Sequence, residues 1–174
     1  MKKIPLTDVA APGAALTQDQ SEAIARQLMS HLAQGGVLGD IHDFSERDYE
    51  VMYTLGHSLY TQARYPEAAS VFGFLLLHNH QDLRFVTAYA AALQMNQDWG
   101  GAISLYTLAA TRDMSNPAPC FHTCECLLGL GLKQQAAEGL AMVIRQCSAS
   151  PGHEALGLRA QAMLDLISTP QEAA

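Results

Sequence analysis

Three cysteines and a histidine in one short stretch are the residues of this sequence best suited to chemistry. Cys120, His122, Cys124 and Cys126 form a C-x-H-x-C-x-C pattern, and thiolate and imidazole are ligands that zinc prefers. On a helix, however, Cys120 and Cys124 share one face, whereas His122 and Cys126 point about 200° of rotation away. Four ligands on opposed faces cannot close one tetrahedron. We therefore predict reduced structural thiols, a histidine that faces a groove, and no metal site.

The other polar residues do not form a catalytic motif. Seven histidines are dispersed along the chain. The glycines of Gly35-Gly36 and Gly129-x-Gly131 are typical of helix ends and not of a phosphate-binding loop. No G-x-S-x-G motif is present. We expect a protein that is not an enzyme and that needs no cofactor.

A 34-residue period organises the middle of the chain. Ala68, Ala102 and Ala136 are spaced by 34 residues, and a large apolar residue follows each of them four positions later. This pattern is typical of the tetratricopeptide (TPR) repeat, a helix pair whose small residues lie where the two helices cross closely. The same spacing relates other positions: Phe72, Tyr106 and Leu140; Leu59, Leu93 and Leu127; Gly56, Ala90 and Cys124; and Tyr65 and Trp99.

The period predicts an all-α fold, a right-handed helical solenoid of three TPR helix pairs with an N-terminal helical region and a C-terminal capping helix. A flexible tail and a single all-helical domain are expected to divide the chain. Ser45-x-x-Asp48 predicts a capping box, and Pro66 and Asp98 suit the starts of later helices. The expected ranges are a tail at 1–16, a domain at 17–174, an N-terminal helix at about 17–34, repeats at about 49–82, 83–116 and 117–150, and a capping helix at about 153–168.

Composition limits the possible partners. The 174 residues are 49% apolar and 16% charged, with a net charge of −7, which argues against nucleic acid as a partner. No apolar run reaches the roughly 18 residues that a membrane span needs, so membrane insertion is not expected. Asp8 and Pro12 interrupt the apolar stretch near the N-terminus too early for a signal peptide, so we expect a cytoplasmic protein.

The concave face of a short TPR stack is the expected binding surface, because the first helix of each pair lines it. Helical spacing predicts a groove that is aromatic at its two ends and shallow in the middle, a shape that suits an extended peptide. For Tyr53 and Tyr60 a place in the groove is favoured over a place in the repeat core. The predicted groove residues are Tyr53, His57, Tyr60, Tyr65, Thr87, Ala91, Gln94, Phe121, His122, Glu125 and Leu128.

The N-terminal helix lies outside the 34-residue period, yet it carries an apolar stripe. Ile24, Leu28 and Leu32 form this stripe, and a single helix of this length is marginal in water without a packing partner. The stripe must therefore be buried on the first repeat or on a second chain, which makes a homodimer possible.

Two segments also resemble a particular family. His78 to Gln94 includes His-Asn-His-Gln-Asp-Leu-Arg-Phe, and Asn116 to Leu128 includes Phe-His-x-x-Glu-Cys-Leu-Leu. Together with Tyr53-x-Leu55 and Tyr65-x-Glu-Ala68, they resemble the class II chaperones of bacterial type III secretion, the SycD/LcrH and IpgC group. The resemblance covers about residues 20–167.

The resemblance implies a cytoplasmic chaperone that binds the hydrophobic translocator proteins of a type III secretion system. An N-terminal segment of each translocator would lie extended in the concave groove, which would prevent aggregation and premature association before secretion. It also implies dimerisation through the N-terminal helical region and no need for nucleotide.

A generic TPR adaptor that binds another protein's peptide is the alternative. An adaptor that recognises a C-terminal carboxylate needs lysine and arginine along the groove. The predicted lining offers mainly Tyr, Thr, Ala, Phe and one Glu, so the sequence favours the chaperone.

Overall fold

Several of the described helices begin at local signals that the sequence supplies. The computed structural model describes residues 18–42, 44–149 and 151–169; the predicted tail at 1–16 lies outside them. The described elements are α1 (Gln18–Ala33), a short 3-10 helix (Leu38–His42), α2 (Glu46–Thr61), α3 (Tyr65–His78), α4 (Leu83–Met95), α5 (Trp99–Arg112), α6 (Ala118–Gly129), α7 (Lys133–Ala149) and α8 (Glu154–Ser168). The described residues contain no strand, and the all-α prediction is confirmed.

The predicted caps lie at the predicted positions. The Ser45 hydroxyl accepts from the Asp48 backbone N–H, and the Asp48 carboxylate accepts from the Ser45 backbone N–H, which completes a capping box on α2. Pro66 lies in the first turn of α3, where its missing N–H costs nothing. The Asp98 side chain accepts from the Gly101 N–H at the start of α5.

The turn inside each helix pair has the same left-handed conformation. Ala63, Gln97 and Gly131 have φ values of 59°, 63° and 77°, and they are again 34 residues apart. After α2, the Arg64 N–H donates to the Leu59 carbonyl, which is the Schellman ending of a helix. The third turn uses glycine, which adopts this conformation without strain. The 34-residue period therefore sets the turns as well as the core.

Helices α2 to α8 pack in sequence, each against the next, so that three pairs and a final helix form a stack. Ala68, Ala102 and Ala136 have no exposed surface, as expected for residues at close helix crossings. The residues four positions later are also buried. A Cβ added at Gly56 would lie 2.7 Å from the Phe72 ring, so the small residue permits the aromatic one.

The two ends of the stack differ: α1 is attached at the first end by polar contacts, and α8 covers the other end. Helix α1 lies outside the sequential packing of α2 to α8, and polar contacts hold its C-terminal end. His31 Nε2 lies 3.0 Å from Asp40 Oδ2, and the Gln81 amide donates to the Gly35 carbonyl. At the other end, α8 exposes the polar residues Arg159, Gln161 and Asp165 together with two leucines, Leu158 and Leu166. In the part of the chain that the structure describes, no helix is long and apolar enough to cross a membrane.

The close crossing in the middle pair can be tested by overpacking it. Ala102→Leu inserts a large side chain where no space is open and should lower the free energy of unfolding by about 1–3 kcal/mol. Gln135→Ala, on the exposed face of α7, should change it by less than about 0.5 kcal/mol. Denaturant melts measure both, and equal effects would show that the repeat register is misassigned.

Candidate functional site

The first helices of the three pairs line one cavity of about 380 Å³ on the same side of the stack. Six of the predicted groove residues meet there. Other helices and a loop complete the wall, chiefly with small or aromatic side chains. The predicted residues in the lining are Tyr53, His57, Tyr60, Thr87, Ala91 and His122, and the rest of the lining is Phe72, Ala88, Tyr106, Asn116, Ala118 and Pro119.

Tyr53 and Tyr60 serve both the groove and the core. Each is half-buried and packs on the core cluster formed by α2, α3 and α4, and each also faces the cavity. The Tyr53 ring centroid lies 5.7 Å from that of Phe72 and 5.8 Å from that of Phe85. Tyr60 is fixed by an edge-to-face contact with Tyr65 at 5.4 Å. The two tyrosines therefore form rigid aromatic walls, because the side of each ring turned away from the cavity packs against other aromatic rings.

The prediction that Phe121 lines the groove is wrong. Its side chain is fully buried in the cluster formed by α6, α7 and α8. The Arg159 guanidinium lies 4.8 Å from its ring centroid and covers it. Residue 121 has the same helical register as Tyr53, but α8 closes over it. The aromatic wall at this end of the cavity comes instead from His122 and Tyr106, whose rings stack with centroids 5.2 Å apart.

Four predicted residues lie beside the cavity and do not form part of its lining. Tyr65 lies behind Tyr60, and Leu128 is half-buried farther along α6. Gln94 and Glu125 meet in a hydrogen bond of 3.0 Å between α4 and α6. Gln94 and Glu125 do not line the cavity themselves, but Glu125 contacts the wall residue His122.

A closed ring of four side chains supports the cavity wall formed by His122. The Tyr106 hydroxyl donates to Gln94 Oε1 at 2.9 Å, and Gln94 Nε2 donates to Glu125 Oε2. Glu125 Oε2 lies 2.8 Å from His122 Nδ1. The stacking of His122 on Tyr106 completes the ring. It joins α4, α5 and α6, so the two later pairs are fixed to each other by polar bonds as well as by apolar packing.

Glu125 is ionised at neutral pH. Burial raises its pKa, but hydrogen bonds from His122 and Gln94, with the nearby positive charge of Arg159, outweigh burial and hold the pKa below its usual range. Arg159 on α8 lies 3.6 Å away. Burial also raises the pKa of the Tyr106 phenol, so Tyr106 stays a hydrogen-bond donor. Around neutral pH, Glu125 is therefore a negatively charged acceptor and Tyr106 a neutral donor.

The cysteine and histidine pattern separates in space as its helical positions predict. Cys120 and Cys124 belong to the cluster shared with α7 and α8, whereas Cys126 lies in the cluster shared with α5. His122 faces the cavity. Burial raises the pKa of Cys124 and of Cys126 to about 11, so both stay protonated thiols. Among the described residues, no three metal-ligating side chains converge.

Tyr106 is the wall residue that the sequence analysis did not assign to the site. Its position four residues after Ala102 marks it as a core residue, and it is indeed buried. The available signal was its hydroxyl, because a buried tyrosine needs a hydrogen-bond partner. That partner, Gln94, is itself a predicted groove residue.

The fold and this site define a helical-repeat binding protein. No family model matches the chain. It is 30% identical over 143 residues to the low calcium response locus protein H of Yersinia pseudotuberculosis, covering 82% of this chain and 85% of that protein.

Two solved structures have the same architecture. PcrH of Pseudomonas aeruginosa, in complex with the chaperone-binding region of PopD, is 32% identical and superimposes with a TM-score of 0.67 over 72% of this chain and 95% of that one. The translocator chaperone SycD of Yersinia enterocolitica is 29% identical, with a TM-score of 0.68 over 75% and 98% of the two chains.

The chain belongs to the class II chaperones of type III secretion, the translocator chaperones. The predicted TPR solenoid is thereby confirmed. The relatives are binding proteins, and this chain is a chaperone and not an enzyme.

The contribution of Glu125 to stability should depend on pH. Its pKa in the folded protein lies below the unfolded value, so the stabilisation is complete above the unfolded pKa and is lost as pH falls through the folded pKa. Glu125→Gln should lower the free energy of unfolding by about 1–2 kcal/mol near neutral pH, with the difference shrinking in acid. Denaturant melts across this range measure it. Glu138→Gln, an exposed change on α7, is the control, and a difference for Glu125→Gln that is constant with pH would contradict the assignment.

Proposed function

We propose that this protein binds the hydrophobic translocator proteins of a type III secretion system by holding an extended N-terminal segment of each in the concave groove. It does so in the bacterial cytoplasm and prevents aggregation and premature association before secretion. The observation that carries the proposal is the cavity shared by α2, α4 and α6, with aromatic walls at both ends and small residues between them.

The chemistry of the cavity supports an apolar peptide as the occupant. Tyr53 and Tyr60 form one wall and His122 and Tyr106 the other, while Thr87 and Ala91 leave depth between them. Rigid aromatic side chains are typical anchors for peptide binding. The described lining contains no lysine or arginine, so a carboxylate-clamping adaptor finds no support there.

The relatives support the same class of ligand. PcrH has been solved with the chaperone-binding regions of PopD and of PopB, and SycD with a peptide of the translocator YopD. The net charge of −7 favours a complex that stays in solution while apolar cargo surface is covered. Which translocators this chain binds is best found by co-expressing it with candidates, followed by affinity purification and mass spectrometry.

We also propose that α1 contributes to a homodimer. Ile24, Leu28 and Leu32 are only half-buried, and α1 lies outside the packing that joins the repeats. An apolar stripe left half-open is stabilised when a second copy covers it. The relative SycD has been observed with an alternative dimer.

Truncating the tyrosine wall should weaken translocator binding. Tyr53→Ala or Tyr60→Ala should reduce affinity for an N-terminal translocator peptide by roughly 30-fold, because buried aromatic anchors dominate such interfaces. Isothermal titration measures the affinity, and thermal melts confirm that each variant folds. Gln135→Ala is the control. Phe121→Ala is unsuitable as a groove variant, since it removes a fully buried ring and should cost about 3–5 kcal/mol of stability. Normal binding by both tyrosine variants would exclude the groove as the peptide site.

Placing a charge in the α1 stripe should separate the subunits. Leu28→Asp should yield a monomer in light scattering with helix content largely kept, because the carboxylate would lose its water in an apolar contact. Gln27→Asp adds the same charge at an exposed position of α1 and should leave the dimer intact. A wild-type protein that is monomeric at roughly tens of micromolar would remove the premise.

A further inference from the structure

The two edges of the His122 imidazole have different surroundings. Its Nδ1 edge lies 2.8 Å from Glu125 Oε2, inside the ring of side chains that joins α4, α5 and α6. Nε2 lies on the opposite edge of the imidazole, and the His122 side chain lines the cavity. Among the described residues, Nε2 has no hydrogen-bond partner. The side chain is about one-third exposed, which leaves His122 open to contact by a bound segment.

The four hydrogen-bonded side chains determine which nitrogen of the neutral His122 imidazole carries the proton. Ionised Glu125 is only an acceptor, so the hydrogen in the Glu125–His122 contact must belong to Nδ1. The same oxygen already accepts from Gln94 Nε2, and Tyr106 fixes that amide by donating to Gln94 Oε1. With a proton on Nδ1, the neutral ring has a lone pair on Nε2.

Stacking on Tyr106 fixes the plane of the imidazole. The two rings are inclined by 24° with centroids 5.2 Å apart, and Phe121 contacts the His122 ring edge-on at 5.7 Å. The neutral imidazole thus has one favoured tautomer and one orientation, both set by residues on three helices. A polar group held in this way is preorganised to bind a hydrogen-bond donor at a defined place in the groove.

We propose that His122 Nε2 is a fixed hydrogen-bond acceptor that binds a backbone N–H of the segment held in the groove. The assignment rests on the proposed function for the identity of the ligand, but not for the state of the imidazole. A backbone donor fits because an extended segment presents unpaired N–H groups. Apart from Asn116, whose Oδ1 already accepts from the Ala118 N–H, the wall around His122 is formed by rings and small side chains. One main-chain hydrogen bond to His122 would then fix the position of the bound segment along the groove.

The state of the imidazole can be tested without any ligand. Nitrogen-15 NMR of the labelled protein at about pH 8, where neutral imidazole is favoured, distinguishes the two tautomers. His122→Phe identifies the signals of this residue. The expected result is a protonated Nδ1 and an unprotonated Nε2. Glu125→Ala should shift the population towards the Nε2–H form, with folding checked by circular dichroism. An Nε2–H tautomer in the wild-type protein, or a tautomer that does not respond to Glu125→Ala, would overturn the proposal.

The role of Nε2 in binding is tested with a translocator peptide that the chaperone retains. Peptides methylated at one backbone nitrogen at a time remove one donor each. One position should lose roughly fivefold to tenfold in affinity with the wild-type protein and nothing further with His122→Phe, which keeps the stacking ring. Gln135→Ala should show the wild-type pattern.

The outcomes separate the two proposals. Failure of every translocator segment to bind would contradict the proposed function and leave the tautomer result standing. Normal binding with no N-methyl position coupled to His122, or coupling only to a side-chain donor found by alanine scanning, would overturn the backbone assignment.

Discussion

The structure depends on helices that approach each other at alanine and glycine. Ala68, Ala102 and Ala136 have no exposed surface, and the space beside each holds a large residue of the same pair. At Gly56 even one added carbon would lie 2.7 Å from the Phe72 ring. This close approach fixes the distance between the helices of a pair, and the repetition of that distance every 34 residues stacks the first helices side by side. The cavity exists because those three helices share one face of the stack.

The cavity wall combines apolar packing with polar groups that are paired within the protein. The Tyr53 ring packs against buried Phe72 and the Tyr60 ring against half-buried Tyr65, so little conformational entropy remains to be lost when a segment binds. The ring of Tyr106, Gln94, Glu125 and His122 satisfies its buried polar atoms within the protein. No buried side-chain nitrogen or oxygen among the described residues lacks a partner. A rigid surface whose buried polar atoms are already paired can exclude water from an apolar segment at low cost.

In the first and last helix pairs, an arginine lies over an aromatic ring, but only one of the two rings remains exposed to the cavity. The Arg84 guanidinium lies 5.5 Å from the Tyr53 ring centroid, and that of Arg159 lies 4.8 Å from Phe121. In both cases an arginine from a following helix lies over an aromatic ring at the equivalent helical position. Tyr53 still reaches the cavity, whereas α8 and Arg159 cover Phe121 completely. His122, one residue on, forms the wall in its place.

The sequence alone determined the helix pairs, because caps, breakers and small residues act through neighbours a few positions away. Ser45, Pro66 and Asp98 start helices where their local chemistry predicts, and the alanine register predicts the buried crossings. It also predicted six residues of the cavity lining, because a helical period shows which side chains share a face. The tertiary structure decided which of the predicted side chains are exposed to the cavity. Phe121 is covered by Arg159, and Tyr106 turns its hydroxyl to Gln94. Neither fact follows from spacing along one helix, because each depends on a side chain that a different helix brings into contact.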